Sequence, residues 1–329
     1  MHQRIRTFVY RWLLRLTGPP RRQKSCEMPP TLMKRGRVSS MDRYRMFLRR
    51  IFLPAVALGL IGSCVVAMQR GRRGSGDDRG GVPEWDRPVG LERDVFSFAR
   101  VRYSDGGGGR YSGGYGQYGY GRGNRWAIDF PDSDLNFSLR LHQLTSLKVN
   151  PDYTIVDLDD PKILDYPFVY LIEPGAMYLS APEVEGFRKY CMNGGFVMVD
   201  DFWGNYQWDN FYSQIKRVFP NREFVDLPIT HEIFQIVYPF KEFPQVPAYD
   251  PRGQWRYISY EPRHGGGEET PHYRAIMDDN DRIMLLACHN TDLGDAWEQE
   301  GMHPDYFEKY SVKQAYPMGI NIVTYALTH

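Results

Sequence analysis

Between residues 168 and 204 the apolar positions change period twice, and the rest of the chain is arranged around that stretch. Phe168 to Ile172 is an unbroken apolar run of β-branched and aromatic residues, which suits a strand buried on both faces. Glu173-Pro174-Gly175 ends the run, because proline removes an amide donor and glycine admits positive φ. Ser180 then has the character of an N-cap, with Pro182 in the first turn and Glu183 placed to close a capping box. Val184, Phe187 and Cys191 recur at i, i+3 and i+7, so one face of the predicted helix is apolar. Gly194-Gly195 stops it, and residues 196–199 form a second apolar strand that runs out into Asp200-Asp201. Strand, helix and strand over roughly thirty residues make a βαβ unit with a right-handed crossover.

The same reading extends in both directions. Residues 95–103 alternate as a strand, and 126–130 read as an extended segment running into Pro131. Leu135, Leu139, Leu144 and Leu147 follow a helical spacing after a cap at Asp132 or Ser133. Residues 155–158 form a brief extended piece. Trp208, Phe211, Tyr212, Ile215, Val218 and Phe219 outline a strongly amphipathic helix. Residues 224–227 suggest a strand, 255–260 another, and 273–277 with 282–287 a hairpin around Asp278-Asp279-Asn280-Asp281. Residues 311–327 read as a closing helix interrupted by Pro317.

Charge and low-complexity sequence then set the organisation. The net charge is +1, but residues 1–50 hold 14 Arg and Lys against Glu27 and Asp42, leaving 27 basic and 38 acidic residues in 51–329. A basic segment ahead of the apolar run 51–68, with Arg70, Arg72 and Arg73 after it, describes membrane topology. The acidic remainder has no basic patch to track phosphates, which speaks against nucleic acid as a partner. The run 51–68 fits a signal peptide as well as a transmembrane helix, for which about 20 apolar residues are typical. Arg49-Arg50-Ile51-Phe52-Leu53 resembles a twin-arginine export signal, and Ile61-Gly62-Ser63-Cys64 resembles a lipobox whose cysteine would be lipidated. Translation from Met1 and from Met41 both remain open. The expected organisation is a basic segment at 1–50, a signal or transmembrane segment at 51–68, a linker at 69–93 and an α/β domain at 94–329, with a loose Gly/Tyr-rich loop at 106–123. Residues 74–329 are expected outside the cytoplasm, at the cell membrane or in the periplasm. A reporter fused at the carboxyl end should be active outside the cytoplasm. Changing Arg49-Arg50 to Lys-Lys should abolish export by the twin-arginine route and leave export by the general route intact.

Ligands of open α/β sheets bind beyond the carboxyl ends of the strands. The candidates gathered there are Glu173, Asp200, Asp201, Trp203, His231, Asn290, Asp292 and Asp295, with Asp132 and Asp134 nearby. Carboxylates with a histidine can ligate a divalent cation or divide acid and base roles. No HExxH or DxDxDG spacing selects a metal, and no catalytic residue, metal or cofactor is assigned by any motif. Successive residues leaving a strand face opposite ways, so one of Asp200 and Asp201 is expected to face the cleft and the other to cap the next turn. Cys191 and Cys288 read as small buried hydrophobes, with a Cys191–Cys288 disulfide conceivable after export.

Four ordered stretches, WAIDFPDSDLNFSLRLHQLTSL at 126–147, residues 168–204, LPITHEIF at 227–234 and NTDLGDAW at 290–297, resemble the bacterial domain-of-unknown-function family four-one-five-nine. That family is grouped with the class I glutamine-amidotransferase-like superfamily. The resemblance implies a flavodoxin-like three-layer α/β sandwich with a mostly parallel sheet. The superfamily's nucleophilic cysteine sits on a Gly-x-Cys-x-Gly elbow, which neither Cys191 nor Cys288 occupies, so glutamine hydrolysis does not carry over. The expected function is that of an exported or membrane-anchored binding or scaffolding module of the cell envelope. Its partners would be the membrane, through 51–68, and an envelope saccharide, peptide or protein. The alternative is a hydrolase, metal-dependent in one form, acting on a saccharide or peptide through the acidic strand exits.

Overall fold

The computed structural model describes residues 79–86, 94–105, 124–261, 267 and 269–329. The segments 1–50 and 51–68, most of the linker and the Gly/Tyr loop lie outside them. Among the described residues no helix is long and apolar enough to cross a membrane.

The strands are β1 (Ala99–Arg102), β2 (Thr154–Asp157), β3 (Phe168–Ile172), β4 (Phe196–Asp200), β5 (Val225–Asp226), β6 (His272–Met277) and β7 (Ile283–His289). They form one sheet in the order β2-β1-β3-β4-β7-β6-β5. β2, β1, β3, β4 and β7 run parallel, and β6 and β5 are antiparallel additions at one edge. The helices are α1 (Asp132–Leu144), α2 (Ala181–Met192), α3 (Gly204–Val218), α4 (Leu293–Glu298), α5 (Pro304–Tyr306) and α6 (Tyr316–Thr328), with a π-helical stretch Phe307–Ala315 joining α5 to α6.

Period-two alternation along the strands divides the core between the two faces of the sheet. Phe168, Tyr170 and Ile172 of β3 pack with α1, α4 and α6, whereas Val169 and Leu171 pack with α2 and α3. Each fully buried aliphatic or aromatic side chain contributes about 1.5–3 kcal/mol, and β3 and β4 are buried at all ten positions. The βαβ unit has the predicted capping box: Ser180 N–H donates to Glu183 Oε2 (2.7 Å) and Glu183 N–H to Ser180 Oγ (3.4 Å). The β6–β7 hairpin also forms as expected.

Several local expectations are corrected. Residues 126–130 are not extended; they form a 3-10 turn, Arg125–Ala127, and a following bend. α1 starts from Pro131 without a side-chain cap. Residues 255–260 form no strand, because Trp255 turns inward on a 3-10 helix, Gln254–Arg256, to pack against Tyr306 and Tyr310. At Pro317 the closing helical stretch changes from the π-helical turns Phe307–Ala315 to α6 without leaving helical backbone. The proline, which has no amide to donate, stands in the first turn of α6, where the hydrogen-bond pattern shifts. Cys191 and Cys288 are both buried free thiols, so they form no disulfide.

Candidate functional site

Arg100 of β1 builds one side of the site. It is fully buried, and its Nε donates to both carboxylate oxygens of Asp134 at 3.0 Å. Its Nη1 donates to the carbonyls of Trp126 (3.1 Å) and Ile128 (2.8 Å), and its Nη2 to Ser133 Oγ (2.7 Å). The guanidinium also lies 5.0 Å from the Tyr170 ring centre. One side chain therefore straps residues 126–134 onto the sheet, and between its anchor points the backbone turns left-handed at Asp129 (φ 60°).

Left-handed non-glycine residues collect at this edge. Asp129, Glu173 (φ 52°), Asp201 (φ 54°) and Asn290 (φ 60°) stand at or beside strand exits, and Asp281 marks the hairpin turn. Asp and Asn tolerate this region better than other residues, and such strain gathers at functional sites.

Two carboxylate groups result, each with its ligand oxygens within 4.8 Å of one another: Asp129 with Asp201 and Asp292, and Asp129 with Asp295 and Glu298. Asp129, Asp201, Asp292 and Asp295 are exposed by only 6, 9, 3 and 7%. Asp292 Oδ1 accepts from Asp295 N–H (2.7 Å), which sets the first turn of α4. Asp295 accepts from Tyr249 N–H, Glu298 from Gln299 Nε2, and Asp201 Oδ1 from Trp203 Nε1 (2.9 Å). Asp129 Oδ2 has no hydrogen-bond partner. It faces α4 at Gly294, where a Cβ would stand 2.9 Å from that oxygen and 2.5 Å from Tyr170 Oη. Gly294 is thus the residue that lets Asp129 approach between Asp292 and Asp295.

Burial, followed by the charge of neighbouring carboxylates, holds Asp129, Asp292 and Asp295 protonated well above the usual carboxylate range, and burial raises Glu298 in the same direction. Asp200 lies beneath them and is fully buried. Its Oδ2 accepts from Gly294 N–H (2.9 Å) and Tyr170 Oη (3.2 Å), and its Oδ1 has no partner. Burial first, and the charge of Asp201 second, push it up to about 8.

The sequence-predicted residues divide accordingly. Asp201, Asp292 and Asp295 contribute to the two groups, with Asp200 below and Trp203 bracing Asp201. Neither Asp200 nor Asp201 caps a helix; α3 begins at Trp203 without a side-chain cap. Asn290 is a latch, accepting from Gly204 N–H (2.9 Å) and donating to the Thr270 carbonyl (2.8 Å). Glu173 pairs with Arg125 (3.0 Å), outside both groups. His231 stands apart: its ring lies 6.0 Å from Tyr325, which packs on Phe196 at the start of β4, the opposite end of the sheet. Burial lowers its pKa. Asp134 is taken up by Arg100. Sequence reasoning missed Asp129, hidden in a stretch read as extended, and Glu298. The i, i+3 spacing of Asp295 and Glu298 on one helix face was the available signal for the latter.

The donor set is oxygen alone, which suits hard divalent cations such as Ca²⁺, Mg²⁺ and Mn²⁺ over thiophilic or imidazole-seeking metals. Among the described residues the two thiols offer no nucleophile: burial raises Cys191 and Cys288 far above the range of a reactive thiolate. The chain matches the family described as Domain of unknown function (DUF4159) over residues 97–327 and belongs to it. No curated protein matches the chain.

Proposed function

We propose that this family member is an exported or membrane-anchored binding module of the cell envelope whose carboxyl-edge site takes a divalent cation. The mostly parallel seven-stranded sheet supports a flavodoxin-like layering of the class I glutamine-amidotransferase-like kind, in which the ligand would sit at the strand exits. One observation carries the reading: carboxylates from three separate stretches of chain, Asp129, Asp201 and Asp292 to Glu298, all but Glu298 buried, gather in two triads that share Asp129. Like charges are brought together out of water only at a cost, and a divalent cation turns that cost into binding energy. The metal-dependent hydrolase reading would use the same carboxylates. Their closure favours holding a cation over presenting it to a saccharide or peptide, since catalytic metal sites keep an open coordination position.

Thermal melts of the full chain, stripped with a chelator and then given CaCl₂, MgCl₂ or MnCl₂, test this. A cation at about 100 times its dissociation constant should stabilise by about 2.7 kcal/mol, a rise of about 5–10 °C for a domain of this size. Asp129→Asn should fold and lose the rise. If none of the three cations moves the melting temperature, the carboxylate edge is not a cation site and the proposal fails.

A further inference from the structure

We infer that the site takes two divalent cations bridged by Asp129, one held with Asp201 and Asp292 and the other with Asp295 and Glu298. This rests on the cation reading and deepens it to a paired centre.

Geometry separates two ions from one. Oxygens around a single Ca²⁺ lie no more than about 5 Å apart, twice the usual bond length, and less for the smaller cations. Each triad meets that limit at 4.8 Å, but the five carboxylates do not meet it as one group; only Asp129 is common to both. A single ion would therefore leave at least two of these carboxylates outside its shell. Asp129 has the character of a bridge: it is 6% exposed, and its Oδ2 has no hydrogen-bond partner and faces Gly294, between Asp292 and Asp295. Charge points the same way. Five carboxylates leave three negative charges beside one divalent ion and one beside two. Arg100, the nearby cation, is already paired with Asp134. Backbone and side-chain amides reach Asp292, Asp295 and Glu298, and the protonated Asp295 carboxyl also hydrogen-bonds Glu298, a shared proton that a cation between them would displace. Paired sites with a shared carboxylate hold their ions about 3.5–4 Å apart, the separation at which two metals act on one oxygen ligand.

The test is an Mn²⁺ titration of the chelator-stripped full chain, read by calorimetry and by electron paramagnetic resonance, with near-ultraviolet circular dichroism to check folding. Two equivalents should bind, and the bound spectrum should be spin-coupled instead of the sextet of an isolated Mn²⁺. Asp292→Asn and Glu298→Gln should each bind one equivalent with the isolated sextet, because each spoils a different triad. Asp129→Asn should lose at least tenfold in affinity at both positions. Binding of a single equivalent by the wild type, or of two without spin coupling, overturns the bridged pair and leaves the cation-binding function standing. No Mn²⁺ bound at all, with the fold intact, overturns both.

Discussion

Replacing Arg100 with methionine is expected to cost the fold about 3–5 kcal/mol, the range for removing one partner of a buried ion pair. Arg100 and Asp134 are both wholly covered, so the variant strands a carboxylate in a medium that cannot solvate it. It also removes the donors to the carbonyls of Trp126 and Ile128. At 2–4 °C per kcal/mol for a domain of this size, the melting temperature should fall by about 6–20 °C. A second substitution separates the two tasks of this side chain. In Arg100→Met with Asp134→Leu the stranded charge is gone, and apolar replacement of a buried pair is often neutral, so much of the stability should return. Cation affinity should not return, because residues 126–134 remain unstrapped and Asp129 loses its position. A single variant that melts within about 2 °C of the wild type would show that Arg100 does not hold this segment.

The parts of the fold legible in the sequence were those written in local periodicity. The capping box at Ser180 and the continuous apolar runs of β3 and β4 each concern residues within a few positions of one another, so spacing alone carries them. The β6–β7 hairpin was visible for the same reason, with its turn acids between two apolar runs. Residues 255–260 misled because their alternation is real, but Trp255 is drawn into an aromatic cluster with Tyr306 and Tyr310 from far along the chain.

The site was legible only in part, for a related reason. Strand exits could be read from sequence, and three of the contributing aspartates lie at or just beyond them. Which acid is consumed by structure and which is left for chemistry could not be read. Asp129 and Asp134 are five residues apart; one is bound by Arg100, while the other is turned by its left-handed backbone towards α4. Asn290 and His231 have the right chemistry for ligands, yet one is spent on backbone latching and the other lies at the far end of the sheet. Separating them requires knowing what each side chain already touches.

Raising the pH from about 6.5 to about 8 is expected to destabilise the cation-free chain, against the usual behaviour of carboxylates. Asp200 keeps its proton in the folded state up to about 8, whereas an unfolded aspartate loses it near 3.9. Between those values the native state holds a proton that the unfolded state has given up. Stability therefore falls as pH rises, by up to about 1.4 kcal/mol per pH unit for each such group, and the loss is complete once pH passes the folded value. Asp129, Asp292 and Asp295 are shifted the same way and should steepen the slope. Below about 6.5 an opposing effect enters. His289 is buried with Nε2 facing the Gly204 carbonyl (3.1 Å), and burial lowers its pKa to about 3. Its contribution is complete above the unfolded value of about 6.5 and is lost as pH falls through that value towards 3, so the window above 6.5 isolates the carboxyls. Cation binding requires deprotonated ligands, so saturating Mn²⁺ or Ca²⁺ should flatten the slope or reverse it. Asp200→Asn supplies the control. The amide oxygen can accept from Gly294 and Tyr170 as before, no charge ever develops, and the variant should be more stable than the wild type near pH 8 while matching it more closely near 6.5. Urea melts with chelator present, repeated across the window, read the slope directly. A wild-type stability that is flat or rising there, with Asp200→Asn no different, would mean that these carboxyls ionise freely and that their burial exerts no such hold.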